Sequence, residues 1–307
     1  MKLSLPYIDQ SLEFWDQLSE RYGNDIHEVY FPVQSDKITS GRPPQPASRL
    51  FSFLARSSLP KALLINPVLL PEPAEKLFPV ISGILTQYAD SYGITKVTVT
   101  NIQLAEAIKK QLPRFTVSGS VLMRIHDPRQ IVYINHALDS LAVDTSILRD
   151  PDRLKKIRRA FSGTIKLMVN EGCLSFCPLR TQHFHEMGAG LAHPESLCQD
   201  LLGRLPWLRL TGAWILPQHL RFYEGLYDII KIAGRVTLQD PEKYLRVVDA
   251  YVQGTPLAAN AIGAGPAGMR EDIPIPDKVF EHLLTCSKIC SACNYCKEYY
   301  EQHLHGK

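Results

Sequence analysis

Short apolar runs alternate with longer amphipathic segments along most of this chain. The runs typical of strands are HEVYFPV from His27, KALLINP from Lys61, TKVTVTN from Thr95, FTVSGSV from Phe115, LAVDTS from Leu141, TIKLMVN from Thr164, WLRLTGAWI from Trp207 and YDIIKIAG from Tyr227. Segments between them, such as DPDRLKKIRRAFS, repeat apolar residues at helical spacing and begin with residues suited to a helix start. Eight alternating strands and helices predict an α/β protein with a closed parallel (β/α)8 barrel of the TIM type, rather than an open doubly wound sheet.

The chain is expected to divide into two parts. We predict that residues 1–255 form the barrel and that residues 256–307 form a linker and a cysteine-rich C-terminal segment that packs on it. The linker contains the run GAGPAG, which does not join a strand to a helix and therefore indicates a loop rather than a phosphate-binding turn.

Composition narrows the class of protein. Of the 307 residues, 45% are hydrophobic and 21% are charged, which is ordinary for a globular enzyme. The net charge is +3 and the basic residues are scattered, so nucleic-acid binding stays open and an anionic ligand is possible. The chain start has no apolar stretch long enough for a signal peptide, and no later segment has the length of a membrane span. We expect a cytoplasmic protein with no membrane partner.

The seven cysteines are the main chemical signal, because clustered cysteines in a reducing compartment are more often metal ligands or catalytic thiols than disulfides. A central group consists of Cys173, Cys177 and Cys198, and it follows the predicted strand TIKLMVN. A tail group lies in the run CSKICSACNYC, with Cys286, Cys290, Cys293 and Cys296. If the tail is helical, its thiols share one face of the helix.

Two arrangements of these thiols remain open. In the first, the central three ligate a [4Fe-4S] cluster and a tail residue, with Cys290 and Cys293 as candidates, supplies the fourth ligand. In the second, the tail alone holds a second cluster or a four-thiolate zinc site. The sequence therefore predicts one [4Fe-4S] cluster or two, with zinc as the alternative.

Polar residues at the ends of the predicted strands indicate where chemistry takes place, because barrel enzymes act at the carboxyl ends of their strands. Asn170 and Glu171 follow TIKLMV, while Lys231 and Arg235 lie in and after the last predicted strand. These four are the predicted catalytic residues. Lys231 and Arg235, with Arg180, are also expected to hold an anionic substrate, since guanidinium groups suit carboxylates.

One part of the chain resembles a known family. The run LPQHLRFYEGLYDIIKIAGR is similar to the stretch of the collagenase-like peptidase family U-thirty-two (U32) in which a helix leads into a K-I-E-G-R strand end. The run PEKYLRVVDAYVQG is similar to the helix that follows it, and NEGCLSFCP lies where family members carry cysteines. The resemblance extends from roughly Phe115 to Gly254.

This resemblance implies a barrel with an iron-sulfur cluster rather than a working protease. Family members support oxygen-independent hydroxylation of the ubiquinone ring or of RNA bases, and some act as paired subunits. By position, Cys173, Cys177 and Cys198 would ligate the cluster. Two departures suggest a divergent member with its own substrate: Ala233 stands where the family has Glu, and the family's cysteine after this strand is missing.

Three functions are therefore considered. The first is an iron-sulfur enzyme that hydroxylates or otherwise modifies a small molecule or RNA without oxygen. The second is a non-catalytic, cluster-bearing subunit that works with a heteromeric partner of the same family. The third is a zinc-binding, peptidase-like protein.

Overall fold

The structure is a computed structural model that describes residues 1–41, 47–189, 195–234, 238–262 and 275–304. Eight parallel strands form a closed barrel in chain order, and the first strand pairs with both the second and the last. The strands are β1 (Lys2–Pro6), β2 (Ile26–Pro32), β3 (Lys61–Ile65), β4 (Lys96–Val99), β5 (Thr116–Gly119), β6 (Ser140–Ala142), β7 (Thr164–Met168) and β8 (Ile229–Lys231). The predicted (β/α)8 fold is confirmed.

The helices lie between the strands and after the last one. They are α1 (Leu12–Tyr22), α2 (Leu50–Arg56), α3 (Ala74–Tyr92), α4 (Ile102–Gln111), α5 (Ile131–Ile134), α6 (Pro151–Ala160), α7 (Arg180–Ala189), α8 (Glu195–Arg204), α9 (Pro241–Gln253), α10 (Asp277–Thr285) and α11 (Tyr295–Tyr299). Side chains cap several amino ends: Asn101 accepts a hydrogen bond from the backbone N–H of Leu104, and Asp150 from that of Arg153. Such caps satisfy backbone donors that the first helical turn leaves unpaired.

One predicted strand is wrong and one strand was missed. The run from Trp207 begins with a 3-10 helix, Pro206–Thr211, because Pro206 has no N–H for a sheet ladder and suits the first position of a helix. The missing strand is β1, whose alternating KLSLP pattern spans only five residues. Closure of the barrel therefore depends on the chain's first residues, and the segment NEGCLSFCP follows the seventh strand rather than the sixth.

The cysteine-rich tail shares the main hydrophobic core of the barrel. Phe280, Leu283 and Leu304 are buried in the same apolar cluster as strand and helix residues from the rest of the chain. This packing fixes the position of the tail. The division of the chain at residue 255 stays a prediction. Among the described residues, no helix has the length and apolar character needed to cross a membrane.

Candidate functional site

The barrel interior holds a buried ionic network. Lys166 on β7 and Glu28 on β2 pair at 2.7 Å between Nζ and Oε1, and each side chain is only 2% exposed. The Ser4 hydroxyl donates a second hydrogen bond to the same carboxylate oxygen at 2.6 Å. Burial raises the pKa of Glu28, but the charges of Lys166 and Lys231 outweigh it and lower the pKa to about 2. The carboxylate is therefore ionised and its charge is compensated inside the chain.

Lys231 belongs to the same interior region. Its Nζ lies 3.4 Å from the centre of the Tyr30 ring, a cation–π contact, and the Tyr30 hydroxyl donates a hydrogen bond to the Ile232 carbonyl at 2.7 Å. The predicted role of Lys231 in binding an anion stays a prediction. Arg235, predicted beside it, lies outside the described residues.

Asn170, predicted to be catalytic, joins the ends of β7 and β8. Its amide donates hydrogen bonds to the carbonyls of Ala233 and Ile262, and its Oδ1 accepts one from the Ala233 N–H at 2.6 Å. These contacts hold the barrel mouth together and use the polar atoms of the amide. A catalytic role for Asn170 stays a prediction.

Helix α7 lies across the barrel mouth. Its Phe184 is buried in a small apolar cluster with Ala142 and Met168, which are the last residues of β6 and β7. At the start of the helix, Arg180 pairs with Glu171 at 3.4 Å. Glu171 and Arg180 thus attach the helix to the strand end. The structure brings these two predicted site residues together.

Cys173 and Cys177 form the described part of the central cysteine group. Burial first, and then the charge of Glu171, raises the pKa of the Cys173 thiol, and Cys177 adds to the effect. Cys177 is therefore close enough to act on the Cys173 thiol. Cys198 belongs to α8, but its side chain lies outside the described residues, so its predicted place in a three-thiol site stays a prediction.

The tail cysteines come together through a turn. The segment between α10 and α11 is not helical, so the predicted single helical face is wrong. Ile289 accepts hydrogen bonds from the backbone N–H groups of Ala292 and Cys293, and Lys288 has a φ of 63°. A turn of this kind folds the chain back on itself and brings together cysteines that are four to seven residues apart. In a straight helix the same residues would be spaced along the helix axis.

The four tail thiols are close enough to influence one another. Burial, followed by the charges of Cys286, Cys290 and Cys293, raises the pKa of Cys296 to about 12. The pKa of Cys290 is raised by burial and by Cys286 and Cys293. We refer to Cys286, Cys290, Cys293 and Cys296 as the thiol quartet. In the described part of the chain, no three His, Cys, Asp or Glu side chains stand at metal-binding geometry, so the quartet is a cluster of thiols rather than a finished cage.

A cavity of about 1040 Å³ lies beside the quartet. All four quartet residues line it, as does Cys177 from the central group. Its aromatic lining residues are Phe176, Trp207 and Phe222. A mainly apolar cavity of this size with a few converging polar groups is typical of a small-molecule site.

Arg149 also lines this cavity and was missed by the sequence analysis. It ends the 3-10 helix Thr145–Arg149 after β6 and is only 5% exposed. Its guanidinium lies between the Trp214 and Phe280 rings, 4.6 Å and 4.4 Å from their centres. A lone Arg inside the apolar stretch LAVDTSILRD was the available signal, since a buried cation requires compensation.

Fold and site together define a closed β/α barrel with thiols gathered at one cavity beside the barrel. A solved structure of a U32 peptidase, Mk0906, aligns with this chain at a TM-score of 0.54 and 17% identity, over 76% of this chain and 93% of that one. An uncharacterised protease of Methanocaldococcus jannaschii is 28% identical over 236 residues, 70% of this chain and 68% of the relative. No family model matches the chain. The resemblance to the U32 peptidases is confirmed, and the structural likeness concerns the fold.

Proposed function

We propose that this chain is an iron-sulfur barrel protein in which the thiol quartet holds a [4Fe-4S] cluster. The bound cluster would supply electron transfer for an oxygen-independent hydroxylation, or a related modification, of a small molecule or an RNA base. The observation that carries the proposal is the gathering of four thiols at one cavity beside a buried guanidinium. Four cysteine thiolates are the usual ligand set of such clusters.

The donor set and its surroundings fit the proposed group. The thiols are unpaired with one another, and three of them are partly buried, which limits access of water to the bound group. The raised pKa values of Cys290 and Cys296 mean that these two thiols keep their protons at neutral pH in the metal-free chain, so binding would release protons.

The cavity supports a role in binding substrate near the quartet. Aromatic walls suit a planar ring, and Lys288, whose Nζ lies 3.5 Å from the Cys286 sulfur, places a cation at the same wall. Cys177 from the central group lines the same cavity as the quartet. The proposed substrate is therefore a ring-bearing anion.

The name of the archaeal relative points to a peptidase, and the site supports this function less well. A cysteine nucleophile needs a thiolate stabilised by a nearby cation or helix end. Burial and Glu171 instead raise the pKa of Cys173, which favours its inert, protonated form.

Anaerobic purification followed by measurement of iron, sulfide and zinc per chain tests the proposal. We expect iron and sulfide in equal amounts, about four of each per cluster, with a brown absorption band. The double variant Cys290→Ser/Cys293→Ser should lose this iron, whereas the matched control Cys173→Ser/Cys177→Ser should keep it. Loss of iron only in the control would move the cluster to the central cysteines.

Two other results would point to the remaining functions. Zinc without iron or sulfide would contradict the redox proposal and leave a structural or hydrolytic metal site. A cluster in a chain that is inactive alone, but co-purifies with a sibling barrel protein, would favour the subunit of a heteromer.

A further inference from the structure

We infer that Arg149 is the buried counter-charge of the group held by the thiol quartet and that it sets the stability and the reduction potential of that group. This inference rests on the proposed function and deepens it. Arg149 would not ligate the metal, so it is a positioning residue that acts on the group through charge.

The guanidinium is held firmly but is incompletely bonded. Its Nη2 donates a hydrogen bond to the Gly212 carbonyl at 3.2 Å, and the Trp214 and Phe280 rings cover its faces. Its Nε and Nη1 are buried and have no hydrogen-bond partner. A fold does not ordinarily leave two donors of a buried cation unused, because each costs about 1–3 kcal/mol or more.

Within the described part of the chain, no carboxylate forms an ion pair with Arg149. The neighbouring His219 adds no second positive charge at neutral pH, because burial and Arg149 lower its pKa to about 4. Tyr223 is also neutral, since burial raises its pKa.

All four quartet residues line the same cavity as Arg149. Burial lowers the pKa of the guanidinium; Tyr223 acts most strongly in the opposite direction, through its charge and a side-chain hydrogen bond, and Cys286 and Cys296 act in the same direction as Tyr223. Arg149 lowers the pKa of Cys296 in turn. The cation and the ligands of the proposed group therefore face one cavity that is partly shielded from water, where charges act more strongly on each other than in bulk water.

The sign of the effect follows from charge. A four-thiolate group is an anion whether it holds iron and sulfide or zinc, and reduction of a cluster makes it more negative. A fixed cation stabilises the more negative state, so Arg149 should raise the reduction potential. It should also favour binding of the group.

Spectroscopic redox titration of anaerobically purified protein with dithionite as electron donor tests this inference. Arg149→Met should lower the equilibrium constant for one-electron reduction at least tenfold, which is about 59 mV toward negative potential. Arg149→Lys keeps the charge and should stay within about threefold of wild type. Arg124→Met, which removes a cation that pairs with Asp144 elsewhere in the barrel, should leave the potential unchanged.

Equal shifts in the Met and Lys variants, or no shift in either, would overturn the inference while leaving the cluster itself established. If Arg149→Met does not fold, Arg149→Gln replaces it with the same expectation. A wild-type chain without any metal would overturn the proposed function instead. If wild type binds zinc, the readout becomes zinc affinity: a tenfold loss in the Met variant alone supports the inference, and equal affinities contradict it.

Discussion

The barrel interior and the tail cavity both bury a cation, but they treat its charge differently. Lys166 pairs with Glu28 at 2.7 Å, and Ser4 binds the same carboxylate. Arg149 has two unused donors and aromatic rings in place of a carboxylate. The charge of Lys166 is balanced within the chain, whereas the charge of Arg149 is balanced only when an anionic group binds beside it. A buried charge balanced within the chain indicates structure, and an unbalanced one indicates a missing group.

Breaking the interior pair should have the largest effect on stability. Glu28→Gln leaves Lys166 buried without its counter-ion, and such losses cost about 3–5 kcal/mol. Chemical denaturation of wild type and variant gives the free energy of unfolding directly. The double variant Glu28→Gln/Lys166→Met should recover most of the loss, because it removes the orphaned charge as well.

Chemical denaturation of metal-free Arg149→Met tests whether the two buried cations differ in their balance of charge. Removal of a cation that already has no carboxylate relieves an unfavourable burial, although it sacrifices ring contacts. The variant should therefore lose much less stability than Glu28→Gln. Equal losses of unfolding free energy in the two variants would show that both cations are balanced in the metal-free chain. That result would contradict the proposed difference between the two regions.

Metal binding should stabilise the tail region by the next largest amount. A ligand present at a hundred times its Kd stabilises the folded state by about 2.7 kcal/mol. Chelator-treated protein should therefore melt at a higher temperature after zinc is added back. Cys290→Ser/Cys293→Ser should not respond, whereas Cys173→Ser/Cys177→Ser should respond like wild type. A response that survives loss of the quartet cysteines would assign the metal to other groups.

Acid should weaken the tail region through His219. Burial and Arg149 lower its pKa in the folded state to about 4, below the ordinary value of about 6.5. The folded state therefore binds the proton less well than the unfolded state, and stability is lost as pH falls from about 6.5 towards 4. By pH 5 the loss should be about 1–2 kcal/mol. His219→Gln should flatten this pH dependence, as followed by thermal unfolding between pH 7 and pH 5, and an unchanged slope would contradict the assignment.

The interior pair shows why the fold was easier to predict than its polar contacts. The run TIKLMV was recognised as a strand from its apolar residues, because their repeat is local. Lys166 within it looked like one polar interruption. Its partner Glu28 lies 138 residues away, and only the closed barrel brings the two together.

In the tail, the chemical group was easier to predict than the local structure. Its four cysteines were identified at once as a chemical group, but the assumed helix was wrong because spacing alone does not distinguish a helical face from a turn. The turn depends on local backbone geometry such as the positive φ of Lys288, which sequence periodicity does not encode. Arg149 was missed because its significance comes from Trp214 and Phe280, which meet it only after folding.

The smallest expected effect concerns Lys231, the second cation of the barrel interior. Tyr30→Phe keeps the ring face 3.4 Å below the Lys231 ammonium but removes the hydrogen bond to the Ile232 carbonyl, so it should cost about 1 kcal/mol. Tyr30→Leu also removes the ring face and should cost more, since cation–π contacts contribute about 0.5–2 kcal/mol. Urea denaturation of both variants separates the contribution of the hydrogen bond from that of the ring face. Equal losses would mean that the ring does not stabilise Lys231, and the interior would then depend on Glu28 alone for its balance of charge.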